Sequence, residues 1–417
     1  MDWITTFEAL NNIYNDGAYS NIAINNAIDN HNGCTARFVR MFVKGVIRDT
    51  YRLEYIIDIL ATKGVDSIKG RTKIILMMGL YAICSMNSIP DHAAVNESVK
   101  LAQIVSKGSD KFVNAMLRTF IRNKDNFIVD DSNLMVKYSY PRDLVAMLMR
   151  QYGDETPKLL EALNKPSPIF IRVNRLKNSS QDIIDYLRLN AIDASEVEGI
   201  EYSLICDNGK VVDTPGYKSG MYSIQGASSL LAIQKFHPDP FSYVLDMCAA
   251  PGGKTGAMAE IMGNKGNILA CDIHEHKLDL IKSNMKRLEI DIVDTQLMDA
   301  TEYNSDLDSC FDYVLADVPC SGLGVIGSKP EIKIRAKVSQ YKKLVEIQEK
   351  ILENAVKYAK PGGYIEYSTC TINKDENEKV IENYLSEHKN VQIIEKKSIL
   401  PYNNMTGFFY CILKKAV

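Results

Sequence analysis

Two of the nine cysteines follow segments that are typical of β-strands, and both could act as nucleophiles. Cys320 comes shortly after the apolar segment FDYVLAD (311–317), and Cys370 directly follows GYIEYST (363–369). Because residues after neighbouring parallel strands meet at one edge of a sheet, the two thiols are predicted to open into the same pocket. A lone cysteine after a strand is most often a packing residue, but two in equivalent positions favour chemistry.

A pair of thiols beside a carboxylate suits methyl transfer to C5 of a cytosine. C5 is a poor nucleophile, but addition of a thiolate to the neighbouring C6 makes C5 reactive toward a methyl donor. An acid near N3 and N4 would stabilise the developing charge, and Asp317 is placed for that role. A base must then remove the C5 proton so that the nucleophile can leave, and Cys320 is the candidate for assisting this release.

A glycine-rich loop predicts a binding site for a nucleoside cofactor. It follows the strand candidate YVLDM (243–247) and precedes a predicted helix. The loop residues are Cys248, Ala249, Ala250, Pro251, Gly252, Gly253 and Lys254. The dinucleotide pattern GxGxxG fails because Gly252 and Gly253 are adjacent, and the phosphate loop fails because Cys248 stands where it needs glycine. The loop therefore favours a cofactor without a pyrophosphate.

Acidic residues follow the next two strand candidates. Asp272 ends GNILACD (266–272) and suits hydrogen bonds to ribose hydroxyls, while Asp299 follows DIVDTQL (291–297) and could hold an adenine amino group. Either acid alone is more often a solvated loop residue or a helix cap, but together behind the glycine loop they support a nucleoside cofactor. Lys254 could lower the pKa of the nucleophile or merely cap a helix, and both interpretations stay open.

Strands and helices alternate regularly from about residue 240 onward, which predicts a mostly parallel sheet covered on both faces. Helical stretches at 274–288 and 339–359 separate the strand candidates. Residues 1 to about 125 instead carry apolar residues at three- and four-residue steps, as in Phe38, Phe42 and Val46, and predict an all-helical bundle.

The intervening segment combines several prolines with short strand candidates, and it predicts a small α/β unit. The strand candidates there are IFIRVN (169–174), EYSLIC (201–206) and GKVVD (209–213). Three domains are therefore predicted: an all-helical domain at 1–130, a small α/β subdomain at 131–230 and a larger α/β domain at 231–417.

Composition narrows the class of protein. The nine cysteines form no CxxC pair, so neither a disulfide framework nor a metal site is expected. The expected location is the reducing cytoplasm. The net charge of −3 does not identify a nucleic-acid binder. No apolar run long enough to span a membrane and no signal peptide is found, and a monomer is expected.

Three segments resemble the NOL1/NOP2/Sun family of RNA cytosine-5 methyltransferases. They are VLDMCAAPGGKT (244–255), DYVLADVPCSGLGVIGSKPEIK (312–333) and GGYIEYSTCTINKDENEKVI (362–381), and the similarity covers about 140–417. The resemblance implies a Rossmann-like class I methyltransferase domain that binds S-adenosylmethionine. It also implies Cys370 as the nucleophile and Cys320 as the residue that promotes product release. The implied cofactor contacts are the glycine loop, Asp272, Asp299 and Asp317.

The N-terminal part resembles a NusB-type RNA-binding domain. The matching segments are FVKGVIRD (42–49), PDHAAVNESVKLA (90–102) and KFVNAMLRTFIRN (111–123). A NusB-like domain fused to this methyltransferase implies methylation of one cytosine in 16S ribosomal RNA. The chain departs from the family at Gly226, where relatives usually carry an acid, and the role of that position is therefore in doubt.

Two basic groups could contact RNA outside the pocket. Phosphate contacts are predicted for one group near the middle segment, and an RNA-binding helix face is considered for the other. The first group consists of Arg172, Arg175 and Lys177, and the second of Arg37, Arg40, Lys44 and Arg48. An ordinary solvated strand edge and a solvated helix face are the competing interpretations.

Rival functions are the same chemistry on transfer RNA or another ribosomal site, a DNA cytosine-5 methyltransferase, and a non-catalytic RNA-binding assembly factor. A DNA enzyme would use the Pro-Cys turn as its nucleophile and leave Cys370 without a role. An assembly factor would be expected to lack Cys370 or the glycine loop, and both are present.

Overall fold

The computed structural model describes residues 1–127, 130–207 and 209–417, which form two compact units. One unit consists of residues 1–164 and 328–338, and the other of residues 165–327 and 339–417. The chain thus passes from the second unit into the first at Ser328 and returns at Ser339. The bounds of the three predicted domains stay predictions.

The first unit is helical over its described residues. Its helices up to residue 164 are α1 (Asp2–Asn15), α2 (Ser20–Asn30), α3 (Ala36–Arg48), α4 (Thr50–Leu60), α5 (Gly70–Ser85), α6 (Asp91–Val105), α7 (Asp110–Arg122), α8 (Leu134–Tyr138), α9 (Arg142–Tyr152) and α10 (Thr156–Asn164). Phe42, Val46, Ile75 and Met78 are fully buried in one core, as their spacing predicts. Burial of each such side chain contributes about 1.5–3 kcal/mol, so the apolar faces hold the helices together.

The segment 328–338 packs as part of this helical unit. Lys333 is buried, and its Nζ donates to the main-chain oxygens of Arg48 (3.0 Å) and Ser139 (2.9 Å) and to Oδ1 of Asn164 (2.5 Å). Burial lowers the pKa of Lys333 well below its usual value. These bonds satisfy the amine inside the unit and fix the segment there.

The second unit contains two sheets. The strands are β1 (Ile169–Val173), β2 (Ala194–Glu196), β3 (Ser203–Cys206), β4 (Tyr222–Ile224), β5 (Tyr243–Asp246), β6 (Asn267–Asp272), β7 (Val293–Leu297), β8 (Phe311–Asp317), β9 (Ala359–Thr369), β10 (Val391–Ile399) and β11 (Phe408–Lys415). The first four form an antiparallel sheet in the order β2-β3-β1-β4. The others form a sheet in the order β10-β11-β9-β8-β5-β6-β7, in which β9 to β7 are parallel and the β10 and β11 pairings are antiparallel.

Helices cover both faces of the seven-stranded sheet, and two separate apolar cores lie against it. The remaining α-helices of the described residues are α11 (Ser180–Leu189), α12 (Pro215–Lys218), α13 (Ala227–Phe236), α14 (Gly253–Ile261), α15 (Glu275–Leu288), α16 (Ile332–Arg335, in the first unit), α17 (Tyr341–Tyr358) and α18 (Glu378–Glu387). The predicted mostly parallel sheet and the helices at 274–288 and 339–359 are confirmed. The strand order reverses at β5, where ligands of such sheets bind.

Two expectations about local structure differ from the structure. The predicted strand at 209–213 is wrong, because Gly209–Asp213 forms a 3-10 helix. Only Val211 of this segment is buried, so the alternation that a half-buried strand requires is missing. The sequence prediction also lacks β10 and β11; β11 is apolar on both faces and β10 is mostly exposed, so neither shows the simple alternating pattern.

Among the helices of the described residues, none is both long enough and apolar enough to cross a membrane.

Candidate active site

Cys320 and Cys370 lie side by side at the carboxyl edge of the seven-stranded sheet. Strands β8 and β9 are parallel neighbours in which Asp317 is paired with Ser368, and each cysteine follows the end of its strand. The two Sγ atoms are 3.4 Å apart, and both side chains are partly buried. The prediction that the neighbouring strands bring both thiols together is confirmed.

The surroundings of Cys320 disfavour its thiolate form. The hydrogen bond to Cys370 and burial raise the pKa of Cys320 well above its usual value. Cys320 therefore holds its proton at neutral pH. Since only the thiolate is a strong nucleophile, this environment disfavours Cys320 as the attacking group.

Glu376 connects the segment after β8, which contains Cys320, with the segment after β9, which contains Cys370. It is fully buried and accepts hydrogen bonds from the Ser321 N–H (2.8 Å), from Nδ2 of Asn373 (2.9 Å) and from Nε2 of Gln348 (3.0 Å). Tyr367 in β9 donates to its main-chain oxygen at 2.6 Å. Sequence reasoning missed this residue, because it stands in the charged run NKDENEK, which is typical of a solvated helix start.

Asp317 and Lys254 form an ion pair beside the thiols. Lys254 Nζ lies 2.6 Å from Oδ2 of Asp317, and Ser368 Oγ donates to Oδ1 at 3.3 Å. Burial alone would lower the pKa of Lys254. The charge of Asp317 and the hydrogen bond from Lys254 to Asp317 outweigh burial and raise the pKa. Lys254 thus carries a positive charge close to Cys370, whose own charge also favours the ammonium. Lys254 is the second residue of α14, and its side chain is directed to Asp317 and only 16% exposed.

The glycine loop joins β5 to α14 as predicted. The N–H of Ala249 donates to the Cys271 carbonyl at 2.8 Å, which ties the loop to β6. Gly252 has a φ of +96°, and a Cβ there would also lie 3.3 Å from Met285, so a side chain is disfavoured on both counts. A Cβ on Gly253 would meet nothing within 4 Å. The loop therefore presents bare backbone at the switch in strand order.

The remaining predicted cofactor residues lie along the same edge. Asp272 is buried at the end of β6, and its Oδ1 accepts from the His274 N–H at 3.1 Å. Asp299 follows β7, and its Oδ1 accepts from both the N–H (2.9 Å) and the hydroxyl (2.7 Å) of Thr301. One oxygen of each acid thus supports its own loop. Their contacts with a cofactor stay predictions.

The expectation that Arg172 contacts phosphate is wrong. Its side chain is 2% exposed, and it pairs with both oxygens of Glu260 at 3.0 and 2.8 Å. It also donates to the Gly253 carbonyl at 2.6 Å and to Oε1 of Gln225. Arg172 therefore links β1 to the glycine loop from inside the unit. A charge on a strand gives no sequence signal that separates these two roles.

Replacing Arg172 with methionine is expected to lower the free energy of unfolding by about 3–5 kcal/mol, because Glu260 would remain buried without its partner. Denaturant titration at constant pH measures this change. Arg188→Met is the matched control: Arg188 pairs with Asp185 on the surface, with both side chains more than half exposed, and should change the free energy by at most about 1 kcal/mol. Equal effects of the two substitutions would contradict the assigned role.

The other basic residues and Gly226 have different surroundings. Lys177 lies 2.8 Å from Glu289, and Arg175 stacks on Tyr202, so part of each charge is already engaged. Gly226 precedes α13, and a Cβ there would lie 3.6 Å from Thr406 Oγ1, so the position has room for a larger residue.

The proposed RNA-binding face on α3 is only partly exposed. Arg37 and Arg40 are exposed, while Lys44 and Arg48 are partly buried. Lys44 donates to the Ser328 carbonyl at 3.4 Å, and burial lowers its pKa. RNA binding by this face stays a prediction.

Three family models match the chain in sequence. The NusB family matches residues 4–122, the ferredoxin-like domain of RsmF/B-like methyltransferases matches residues 140–213, and the 16S rRNA methyltransferase RsmB/F family matches residues 233–413.

Two curated proteins match nearly the whole chain. The probable ribosomal RNA small subunit methyltransferase B of Bacillus subtilis is 32% identical over 98% of this chain and 97% of its own. The corresponding probable methyltransferase of Synechocystis is 30% identical over 98% of both chains.

Solved structures share the fold. The crystal structure of PH0851 has a TM-score of 0.86 at 24% identity and covers 99% of this chain and 98% of its own. A methyltransferase homologue from Pyrococcus horikoshii has a TM-score of 0.62 at 27% identity, covering 69% of this chain and all of its own. Together with the curated proteins, these matches place the sequence and the described fold within a known group of proteins.

Proposed function

Because the chain belongs to the ribosomal RNA small subunit methyltransferase B family, we propose that it methylates C5 of a specific cytosine in 16S ribosomal RNA. The proposed activity is that of the bacterial enzyme RsmB, also called Sun or Fmu. The observation that carries the chemistry is the pair of thiols 3.4 Å apart beside the Asp317–Lys254 ion pair. One thiol can activate a cytosine covalently, and the second thiol can assist release of the product.

The glycine loop fits S-adenosylmethionine as the methyl donor. The bare backbone of Gly252 and Gly253 allows close approach of a ligand, and Asp272 lies at the end of the next strand, where a ribose would be held. We assign the cofactor contacts to the loop from Cys248 to Lys254, with Asp272, Asp299 and Asp317 beside it. When bound, S-adenosylmethionine supplies an electrophilic methyl group.

Cys370 begins the reaction on the cytosine. Its thiolate adds to C6, and the electron pair of the C5–C6 double bond becomes available at C5 for the methyl group. Asp317 accepts a hydrogen bond from the N4 amino group and so holds the base in position, while the Lys254 ammonium beside it offsets the negative charge that thiolate addition places on N3. Lys254 keeps Asp317 oriented and favours the thiolate form of Cys370.

Cys320 completes the reaction. Once Cys370 is bonded to C6, its sulfur no longer carries the charge that raises the pKa of Cys320, and Cys320 can release its proton to solvent. The Cys320 thiolate then takes the C5 proton, and the C6–S bond breaks to return Cys370. One proton leaves in each turnover, as the replacement of hydrogen by a methyl group requires.

The substrate base must leave its stack to reach the thiols, so an unpaired region of RNA is the proposed substrate. The NusB-like domain and the ferredoxin-like domain are proposed to bind the surrounding RNA. We also propose a monomeric cytoplasmic enzyme with domains at 1–130, 131–230 and 231–417.

The proposal is tested by incubating the protein with S-adenosylmethionine carrying a labelled methyl group and with total RNA from bacteria that lack the modification. Digestion to nucleosides and mass spectrometry should find the label in 5-methylcytidine from 16S ribosomal RNA. Label in transfer RNA or at another ribosomal site would keep the chemistry and change the substrate. Absence of transfer to any RNA would favour a non-catalytic assembly factor.

A further inference from the structure

Glu366 is a buried acid for which the mechanism above has no use. It lies in β9, is fully buried, and among the described residues neither of its oxygens has a partner in hydrogen-bonding geometry. Its pairing neighbours across the sheet are Leu315 in β8 and Ile412 in β11, which offer only apolar side chains. An unsatisfied carboxyl in such a place costs stability, so its retention calls for an explanation.

Glu366 shares one face of the sheet with the catalytic ion pair. Side chains two residues apart on a strand point to the same side, so Glu366 and Ser368 share a face, and Ser368 is paired with Asp317. Asp246 in β5 pairs with Leu315 and so stands in the same row as Glu366. Lys254 reaches down to this face from α14. The face thus holds Asp246, Asp317 and Glu366 around one ammonium group.

The three acids are not equivalent. Burial raises the pKa of Glu366 to about 8, although Lys254 opposes the shift, and burial raises the pKa of Asp246 to about 7 against the hydrogen bond from Thr255. Asp317 instead receives the direct bond from Lys254. At neutral pH Glu366 is therefore mostly protonated, and the Lys254 ammonium remains paired with Asp317.

We propose, on the basis of the proposed function, that Glu366 is a positioning residue that controls the partner of Lys254. In its protonated form Glu366 leaves the Lys254 ammonium with Asp317 and close to the Cys370 thiolate. In its ionised form Glu366 attracts the ammonium, and a Lys254 side chain drawn toward Glu366 no longer favours the Cys370 thiolate. The site is therefore active while the Glu366 carboxyl is neutral, and loss of the Glu366 proton lowers the rate of methyl transfer.

The groups that surround Glu366 come from five elements. They are Lys254 from α14, Asp246 from β5, Asp317 from β8 and, within β9, Ser368, whose hydroxyl donates to Asp317. From β11, Tyr410 and Cys411 are also close enough to feel the charge of Glu366. Tyr410 donates its hydroxyl to Glu395 at 2.5 Å. Lys254 is the only one of these groups that carries a positive charge, so it is the group that an ionised Glu366 would attract.

The test is the pH dependence of methyl transfer by wild-type protein and by Glu366→Gln, which is permanently neutral and of the same shape. Wild-type kcat should fall above about pH 8, and at pH 9 it should be about tenfold below that of Glu366→Gln, as one ionisation requires. The two proteins should have similar kcat at pH 7. Glu353→Gln, at the exposed pair with Lys357, is the matched control and should retain the wild-type profile.

Identical pH profiles for wild-type protein and Glu366→Gln would overturn the proposal. Glu366→Leu is a second neutral variant, and it should also lack the alkaline decline if glutamine at this position disturbs folding. A purely structural role would change the melting temperature of these variants without separating the profiles of kcat.

A measurement that needs no activity separates this inference from the proposed function. In carboxyl-labelled protein, the NMR signal that Glu366→Gln removes should titrate near pH 8, and Lys254→Met should move that titration upward, because a stabilising charge is lost. A titration near the ordinary glutamate value, or no response to Lys254→Met, would overturn the coupling. If wild-type protein methylates no RNA at any pH while this titration is found, the proposed function fails and the coupling stands.

Discussion

Replacing Cys320 with alanine should leave the protein covalently attached to its RNA, whereas replacing Cys370 should abolish both attachment and methyl transfer. Without Cys320, Cys370 can still add to C6 and the methyl group can still be transferred, but the C5 proton is removed slowly and the adduct accumulates. Cys370→Ala removes the attacking atom, so the rate should fall by at least about 10³-fold. Denaturing gels with labelled RNA measure the adduct.

The exposed Cys310 supplies the control for this pair of variants. Cys310→Ala should release RNA and turn over like wild-type protein, since this thiol lies before β8 and away from the carboxyl edge. An adduct formed by Cys370→Ala but not by Cys320→Ala would reverse the assigned roles of the two thiols. The 3.4 Å separation of the sulfurs makes that reversal the main rival, because either thiol reaches the same space.

Replacing Asp317 with asparagine is expected to lower kcat by about 10²–10³-fold. Asparagine keeps the size of the side chain but removes the charged acceptor that holds the N4 amino group of the cytosine. It also leaves Lys254 without its partner at a place where the Lys254 side chain is only 16% exposed. Steady-state kinetics with RNA and S-adenosylmethionine measure the change, and kcat should fall more than the KM for RNA rises.

Asp312 in the same strand gives a matched control. It pairs with Lys360 at 2.7 Å, but at the opposite end of β8, where both side chains are more than one third exposed. Asp312→Asn should change kcat by less than about twofold, because exposed ion pairs contribute little. A kcat for Asp317→Asn within about threefold of the wild-type value would contradict the catalytic role of this carboxylate.

The sequence is sufficient for the parts of the site that follow strands. A parallel sheet brings the carboxyl ends of its strands to one edge, so Cys320, Cys370 and the glycine loop can be placed from strand order alone. The helical unit follows from its apolar periodicity, with Phe42 and Val46 in the core as expected.

The residues that sequence reasoning misses owe their roles to distant partners. Arg172 and Glu260 are 88 residues apart, and Glu376 contacts Ser321 across 55 residues, so no local pattern reveals either contact. Lys333 likewise lies in a segment quoted for its likeness to a methyltransferase, yet it is buried in the helical unit. Charged residues are buried too rarely for burial to be the first expectation.

The central claim, that Cys370 bonds directly to the cytosine, is tested most directly by mass spectrometry of the adduct formed by Cys320→Ala protein. The trapped complex is digested with protease and nuclease, and the peptide that carries a nucleotide is sequenced. We predict a peptide containing Cys370 with a methylated cytidine nucleotide on its sulfur. A nucleotide attached to any other residue, or a complex that dissociates on denaturation, would contradict the claim.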